Sequence, residues 1–169
     1  MKLILRKLDL KKDIGKKYQQ WLNSSEVQKF TEQRYKKHTI KEIKKFVKEK
    51  NLSKNEFLFG IFLEKNRHKI HIGNIKLGPI NFIHKRGDIG YFIGEKKLWN
   101  KGYASLAIKK ITSIAKKMGL KKIKAGAYEM NKGSAKVLKK NGFKVEGKLK
   151  SEIVFKKKRY SYILYGKIL

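Results

Sequence analysis

The sequence contains no cysteine, one proline and only 13 acidic residues among its 169 positions. Without cysteine the chain can form no disulfide, no thiolate zinc site and no cysteine nucleophile. The four histidines are scattered, and the closest pair, His68 and His71, falls on opposite faces of a predicted strand. We therefore expect an enzyme or binding protein that uses no metal.

The sequence also lacks long apolar runs. No window of about 18 residues is free of polar side chains, as a membrane-spanning helix requires, and the N-terminus alternates like a strand instead of resembling a signal peptide. There is no linker-like Gly, Ser or Pro tract and no internal repeat. We expect residues 1–169 to form a single domain that is cytoplasmic and has no membrane partner.

Arginine is scarce although the chain is strongly basic. The formal net charge is +32, yet only five of the 45 basic residues are arginine, the side chain that reads bases and binds phosphates bidentately. The lysines are spread along the whole chain. We interpret them as a solvated coat and expect no specific nucleic-acid partner; a basic nucleic-acid- or ribosome-binding module is the alternative of another class.

Hydrophobic periodicity predicts a mixed α/β fold. Helices are predicted at 13–23, after a capping box formed by Thr39 and Glu42, at 103–118 and at 132–140. Strands are predicted at 2–8, 56–63, 68–77, 86–94, 121–128 and twice between 143 and 169, with turns at Gly78-Pro79 and at Lys85-Arg86-Gly87. We expect a central mixed, mostly antiparallel sheet of about seven strands flanked by four helices, with a parallel strand–helix–strand crossover in its middle.

The stretch W-N-K-G-Y-A-S-L-A, from Trp99 to Ala107, joins a predicted strand to a predicted helix. The first N–H groups of a helix are unpaired and the helix dipole adds positive potential, so this junction suits an anion. Gly102 would let the backbone approach a phosphate closely, and Lys101 adds a mobile positive charge. Alone, the glycine indicates only a turn, because the stretch matches neither a Walker loop nor a dinucleotide fingerprint.

A second stretch, N-K-G-S-A-K-V-L-K-K-N-G-F, runs from Asn131 to Phe143. Together the two stretches resemble the GCN5-related N-acetyltransferase (GNAT) family, whose motif [QR]-x-x-G-x-[GA] cradles the pyrophosphate of acetyl-CoA and whose N-x-x-[AS] motif flanks the thioester. Gly102 and Ala104 match the first motif, and Asn131 and Ser134 match the second. The order of elements extends the resemblance over nearly the whole chain, most closely to the branch of ribosomal-protein N-terminal and amino-sugar acetyltransferases.

The resemblance implies acetyl-CoA as co-substrate, no metal, and a set of residues that hold it. The expected cofactor-binding residues are Phe92, Ile93, Asn100, Lys101, Gly102, Tyr103, Ala104, Asn131 and Ser134. In the family a backbone N–H contacts the oxyanion, which places this contact near Phe92 or Ile93. The family's strand is splayed by a bulge, and Gly90 and Gly94 agree with a bulge here.

Two positions depart from the family pattern. Trp99 stands where the first motif has Gln or Arg, so one phosphate contact must come from backbone groups or from Lys101. Leu138 stands where many members place the tyrosine that protonates the departing thiolate. The resemblance offers Ser134 as a substitute acid; the alternative is a serine at a helix start that satisfies backbone N–H groups.

The general base is sought among the few carboxylates near the expected site. We favour Glu32, because the loop between the first two helices commonly builds the acceptor site in the family. Glu152 ranks second and Glu95 third, and each of the three has the alternative of a surface carboxylate among lysines. Deprotonation through water is a further option.

The sequence thus predicts an acetyl-CoA-dependent N-acetyltransferase that acts on a primary amine by direct attack, with Ser134, Glu32 and Glu152 as catalytic candidates. The acceptor is expected to be a nucleotide-linked amino sugar or, alternatively, a protein N-terminus, since Arg34 and Lys36 could meet phosphates and a polyamine would be repelled. A GNAT fold that binds CoA without catalysis is a third interpretation. A homodimer is one option for the assembly.

Overall fold

The structure is a computed structural model that describes residues 2–66 and 68–169. In this part of the chain, seven strands and four helices follow one another in the predicted order, which confirms the mixed α/β fold. They are β1 (Lys2–Lys7), α1 (Lys16–Asn23), α2 (Ile40–Leu52), β2 (Phe57–Lys65), β3 (His68–Asn81), β4 (Arg86–Ile93), α3 (Tyr103–Lys117), β5 (Lys122–Tyr128), α4 (Lys132–Lys140), β6 (Lys144–Phe155) and β7 (Lys158–Ile168).

The strands form one sheet in the order β1-β2-β3-β4-β5-β7-β6. Only the pair β4 and β5 is parallel; every other neighbouring pair in the described sheet is antiparallel. Parallel strands need a long crossover connection, and α3 is that connection. The predicted strand–helix–strand unit is therefore confirmed as a parallel pair in the middle of the sheet.

Helices cover both faces of the sheet. The apolar stripe of α3, with Ile108 and Ile111 fully buried, packs in one core cluster with Ile61 of β2. Tyr18 and Trp21 of α1 pack in a second cluster, which also contains the α2 residues Ile43 and Val47 and Phe62 of β2. Successive side chains of a strand point to opposite faces, so the neighbours Ile61 and Phe62 serve different cores.

Local hydrogen bonds explain where the first two helices begin. Thr39 and Glu42 form the predicted capping box, in which the Thr39 hydroxyl accepts the Glu42 N–H and the Glu42 carboxylate accepts the Thr39 N–H at 2.8 Å. Helix α1 begins at Lys16, later than predicted, because Asp13 instead pairs with Arg6 and accepts the Asp9 N–H. None of the helices in the described residues is long and apolar enough to cross a membrane.

The two central strands separate part of the way along their length. Pairing of β4 with β5 ends at Ile89 and Ala125, whereas β4 stays paired with β3 as far as Ile93. The expected bulge between Gly90 and Gly94 is wrong, because the register of β4 against β3 is continuous over that stretch. The opening arises from the loss of pairing on the β5 side.

The irregularity near β4 lies in the neighbouring strand instead. The predicted turn at Gly78-Pro79 is wrong: both residues lie within β3, where the register against β4 shifts between Leu77 and Ile80. Proline has no N–H to give to a ladder, and a bulge is where a sheet tolerates it. The chain reverses direction later, between Asn81 and Arg86.

Candidate active site

A cleft of about 400 Å³ opens where β4 and β5 separate. Its walls come from the two strands, the start of α4, the segment after α1 and the β6–β7 hairpin. Four residues predicted from the sequence line it: Glu32, Asn131, Ser134 and Glu152. The fold therefore brings the three catalytic candidates into one cavity.

The turn before α3 has a backbone that its glycine permits. Gly102 caps the helix in the left-handed region, with φ of +83°, and Asn100 also has a positive φ. The first helical bond runs from the Leu106 N–H to the Gly102 carbonyl at 3.1 Å, and no acceptor for the Tyr103 or Ala104 N–H is found among the described residues.

The space around this turn suits a diphosphate. A Cβ added to Gly102 would meet nothing within 4 Å, so the backbone is open to a ligand there. Free N–H groups at a helix start together with the exposed Lys101 supply the donors and the positive charge that a pyrophosphate needs. The residues present therefore fit the acetyl-CoA that the motif implies.

Trp99 is tied to the end of β4. Its indole N–H donates to the carbonyl of Ile93 at 2.8 Å. The side chain that replaces the family's Gln or Arg thus links the turn to the central strand. A phosphate contact from the backbone or from Lys101 stays a prediction.

The register of β4 distinguishes the two expected oxyanion donors. Gly94 donates to the Ile72 carbonyl at 2.8 Å, and Phe92 lies directly opposite Asn74. Hydrogen bonding alternates along an antiparallel pair, so the Phe92 N–H points to β3 and the Ile93 N–H points away from it, to the side where β5 has separated. The geometry favours Ile93 as the donor that is free for a ligand.

Asn131 caps α4 and leaves the Ser134 hydroxyl free. The Asn131 side chain accepts the Ser134 N–H at 3.1 Å. Ser134 Oγ lies instead 3.0 Å from the hydroxyl of Tyr91. The alternative in which Ser134 caps the helix is therefore wrong. Leu138, one turn further on, is fully buried in the core.

Tyr91 is a cleft residue that the sequence analysis missed. It is half-buried on β4, and burial raises the pKa of its phenol, although the hydrogen bond with Ser134 acts in the opposite direction. Its position two residues from both Ile89 and Ile93, whose side chains are buried in the α3 core, places it on the same sheet face. That alternation was the signal available in the sequence.

On the other side of the cleft, Tyr128 holds Glu32. The Tyr128 hydroxyl donates to the Glu32 carboxylate and accepts a hydrogen bond from Arg34 at 2.7 Å. Burial, with a further contribution from Glu32, raises the pKa of Tyr128 to about 12, so this phenol stays neutral. Tyr128 was also missed, although it ends the strand that precedes Asn131.

Arg34 is engaged within the protein, and the phosphate contact expected for it stays a prediction. Its guanidinium donates to the Thr31 carbonyl at 3.1 Å, to Tyr128 and to the Val154 carbonyl of β6 at 3.2 Å, and it lies 5.5 Å from the ring centre of Phe155. The hydrogen bonds of Arg34 therefore link the segment after α1 to the β6–β7 hairpin.

The other two base candidates lie in different surroundings. Glu152 lines the cleft, and its carboxylate has no hydrogen bond or ion pair with any described residue. Glu95 pairs with Lys17 at 3.0 Å and lines a separate depression beside Trp21. The structure thus brings Glu32 and Glu152 together and leaves Glu95 outside the cleft.

Comparison with known proteins places this geometry in a family. The model of the GNAT acetyltransferase domain matches residues 2–144. An uncharacterized N-acetyltransferase of Bacillus subtilis (strain 168), YoaA, is 35% identical over 89 residues, which are 52% of this chain and 50% of the relative. The match thus spans about half the length of this curated relative.

Solved structures share the fold over almost the entire chain. The spermidine N-acetyltransferase from Vibrio cholerae, in complex with CoA and spermine, has a TM-score of 0.82 at 20% identity and covers 98% of this chain and 95% of its own. The ribosomal L7/L12 alpha-N-protein acetyltransferase RimL, in complex with coenzyme A, has a TM-score of 0.84 at 20% identity, covering 99% and 94%. With the family model matching most of its length, this chain belongs to the GNAT family of acetyltransferases.

Proposed function

We propose that the chain transfers the acetyl group of acetyl-CoA to a primary amine by direct attack of the amine. One observation carries the proposal: the cleft beside the separated strands joins the start of α4, with Asn131 and Ser134, to the carboxylates of Glu32 and Glu152. The start of α4 and the two carboxylates thus share one cavity, whereas Ile93 and the turn at Gly102 lie outside its lining.

On the co-substrate side, backbone groups do the binding. The Tyr103 and Ala104 N–H groups and Lys101 hold the pyrophosphate above Gly102, and the Ile93 N–H is the donor for the thioester oxygen. Acetyl-CoA supplies the activated acetyl group.

On the acceptor side, carboxylates receive the amine. An ammonium must lose a proton before it can attack, and Glu32 takes that proton while the Tyr128 hydroxyl keeps the carboxylate in place. Glu152 is the second candidate for this role. Two of only 13 acidic residues line the same cleft in a protein of charge +32, so the cavity attracts a cation that the rest of the surface repels.

The rim of the cleft favours an acceptor with an anionic part. The segment from Lys156 to Arg159 is basic and exposed, and Phe155 alone separates it from Val154, whose carbonyl accepts hydrogen bonds from Arg34 and Tyr35. In an acceptor that joins an amine to phosphates, the amine would contact the carboxylates of Glu32 and Glu152 and the phosphates would contact the basic segment. We therefore propose a nucleotide-linked amino sugar. An acidic protein N-terminus offers the same two charges and is the second candidate.

Calorimetry and thiol-release assays test the proposal. Acetyl-CoA is titrated at moderate salt, and thiol release is then measured with an amino-sugar nucleotide, an acidic peptide with a free N-terminus and spermidine. We expect acetyl-CoA binding and turnover with one of the first two acceptors. Absence of binding would overturn the proposal in favour of a basic binding module, and binding without thiol release from any amine would identify a non-catalytic CoA-binding protein.

A further inference from the structure

We infer that Tyr91 and Ser134 act as one proton-donating pair for the departing thiolate. Ser134 is the member that contacts the sulfur, and Tyr91 is the positioning residue behind it. The inference rests on the proposed acetyltransferase function. It assigns a role to a hydroxyl that the family motifs do not include.

The geometry joins the two sides of the opened strand pair. Tyr91 comes from β4 and Ser134 from the first turn of α4, and their hydroxyl oxygens lie 3.0 Å apart. Asn131 holds the Ser134 N–H at 3.1 Å, which fixes the serine backbone without occupying its hydroxyl. In the described part of the chain, Tyr91 is the only hydrogen-bond partner of Ser134 Oγ.

Other hydroxyls of the cleft are less suited to this task. Tyr128 is bonded to both Glu32 and Arg34, and the Thr31 hydroxyl is bonded to Gln28 at 2.7 Å. Tyr162 also lines the cleft, where its hydroxyl lies against Gly126 of β5. Ser134 and Tyr91 are the pair that stands beside the start of α4.

Each proton that moves during the acetyl transfer has a donor and an acceptor. The amine nitrogen forms a bond to the acetyl carbon and the carbon–sulfur bond breaks, leaving the electron pair on sulfur. Sulfur takes the proton of Ser134 Oγ, and Ser134 takes the phenolic proton of Tyr91. The amine's proton passes to Glu32 and then to water, and water returns one proton to Tyr91. Counted from the neutral amine, the net change is one N–H lost and one S–H formed; the additional proton of an ammonium substrate is released to water through Glu32 before the attack.

The protonation state of Tyr91 agrees with this direction of transfer. Burial raises the pKa of its phenol, so the group is neutral and carries a proton at physiological pH. The neutral phenol can donate to Ser134 and be restored from solvent after each turnover.

A double-mutant cycle tests whether the two hydroxyls act through each other. The turnover number kcat and the acetyl-CoA affinity are measured for the wild type, Tyr91→Phe, Ser134→Ala and the double variant. We expect kcat to fall about 100-fold in Ser134→Ala, the lower end of the range for acid–base groups, and only about 10-fold in Tyr91→Phe, because the serine that contacts the sulfur stays in place. The double variant should be no slower than Ser134→Ala, because Tyr91 acts only through the serine.

Two further variants serve as controls. Tyr162→Phe removes a cleft hydroxyl that belongs to neither Tyr91 nor Ser134 and should combine additively with Ser134→Ala. Ser134→Thr keeps a hydroxyl and should recover most of the lost kcat. The affinity for acetyl-CoA should stay within about threefold of the wild type throughout, since a packing defect would lower it as well.

Failure of this inference is distinguishable from failure of the proposed function. If the wild type turns over and Tyr91→Phe retains full kcat, or the two losses add, Tyr91 has no role behind Ser134 and only the inference is overturned. If the wild type releases no thiol with any amine, the acetyltransferase function fails, and the donor pair fails with it.

Discussion

The proposed co-substrate side and acceptor side of the site are made of different chemical groups. On the proposed co-substrate side, the turn at Gly102 and the Ile93 N–H, neither of which lines the cleft itself, present backbone donors. On the acceptor side, the side chains of Glu32 and Tyr128, linked to Arg34, form a hydrogen-bonded network.

Backbone N–H donors can be common to all members of a family, whereas the side chains of the acceptor side are particular to each chain. Any sequence that forms the turn before α3 presents the same N–H groups, so this side can bind the same co-substrate in distant relatives. The acceptor side depends on the identity of individual side chains, and one substitution there changes its charge or shape. Substitutions on the two sides should therefore affect different kinetic constants.

The largest effect is expected for Glu32→Gln, which removes the proposed base and keeps a hydrogen-bond acceptor for Tyr128. The turnover number should fall by about 100-fold while acetyl-CoA affinity is unchanged. Steady-state kinetics and calorimetry measure the two quantities. Glu64→Gln is the control, because it removes a carboxylate from β2, where Glu64 pairs with Lys69 at 3.7 Å. A loss confined to Glu152→Gln would transfer the role of base to Glu152.

Gly102→Ala should weaken the co-substrate side. A Cβ would fill the open approach to the turn and strain the left-handed backbone, so acetyl-CoA should bind about 30-fold more weakly, a loss of roughly 2 kcal/mol. Gly119→Ala is the matched control, since Gly119 follows the same helix with φ of +79° and equally open space. Both variants should lose about 1 kcal/mol of unfolding free energy. Equal acetyl-CoA affinities in the two would contradict the assignment of the turn.

Arg34→Leu should disturb the acceptor side alone. Without the guanidinium, the segment after α1 loses its link to the Val154 carbonyl, and the KM for the acceptor should rise about 10-fold, as expected for lost hydrogen bonds to a charged group. Arg34→Lys should restore little, because an ammonium cannot reach several acceptors in one plane. A change in acetyl-CoA affinity without a change in acceptor KM would refute the separation of the two sides.

Trp99→Phe should have the smallest effect. It keeps an aromatic ring but removes the N–H that donates to the Ile93 carbonyl, at a cost of about 1 kcal/mol in unfolding free energy. Because the bond links the turn to β4, acetyl-CoA affinity should fall about threefold. Urea unfolding and calorimetry measure both quantities, and an unchanged affinity would show that the link has no part in binding.

Local features of the chain were predictable, and non-local ones were not. The Thr39 capping box depends on residues within one helical turn, and it follows from the sequence. The expected β4 bulge was wrong, because the opening depends on where β5 stops pairing. Tyr91 was missed because its partner, Ser134, lies 43 positions away.

Some residues lie where they were predicted but have protein partners that the sequence did not indicate. Arg34 lies at the acceptor side as expected, but its donors are used by Tyr128, 94 positions away, and by Val154. The choice between two roles for Ser134 likewise depended on Asn131 and Tyr91, which together determine that the serine hydroxyl is free of the helix cap. Burial and hydrogen-bond partners of this kind cannot be obtained from periodicity.

Periodicity, caps and glycine positions therefore sufficed to place the helices, most strands and the turn before α3, since these features arise from interactions between near neighbours in the chain. The sheet order, in which β7 lies between β5 and β6, decided which side chains meet in the cleft. This order positions Glu152 and Val154 beside the segment after α1. The contact cannot be predicted from local sequence, because strand pairing is determined by burial over the whole fold.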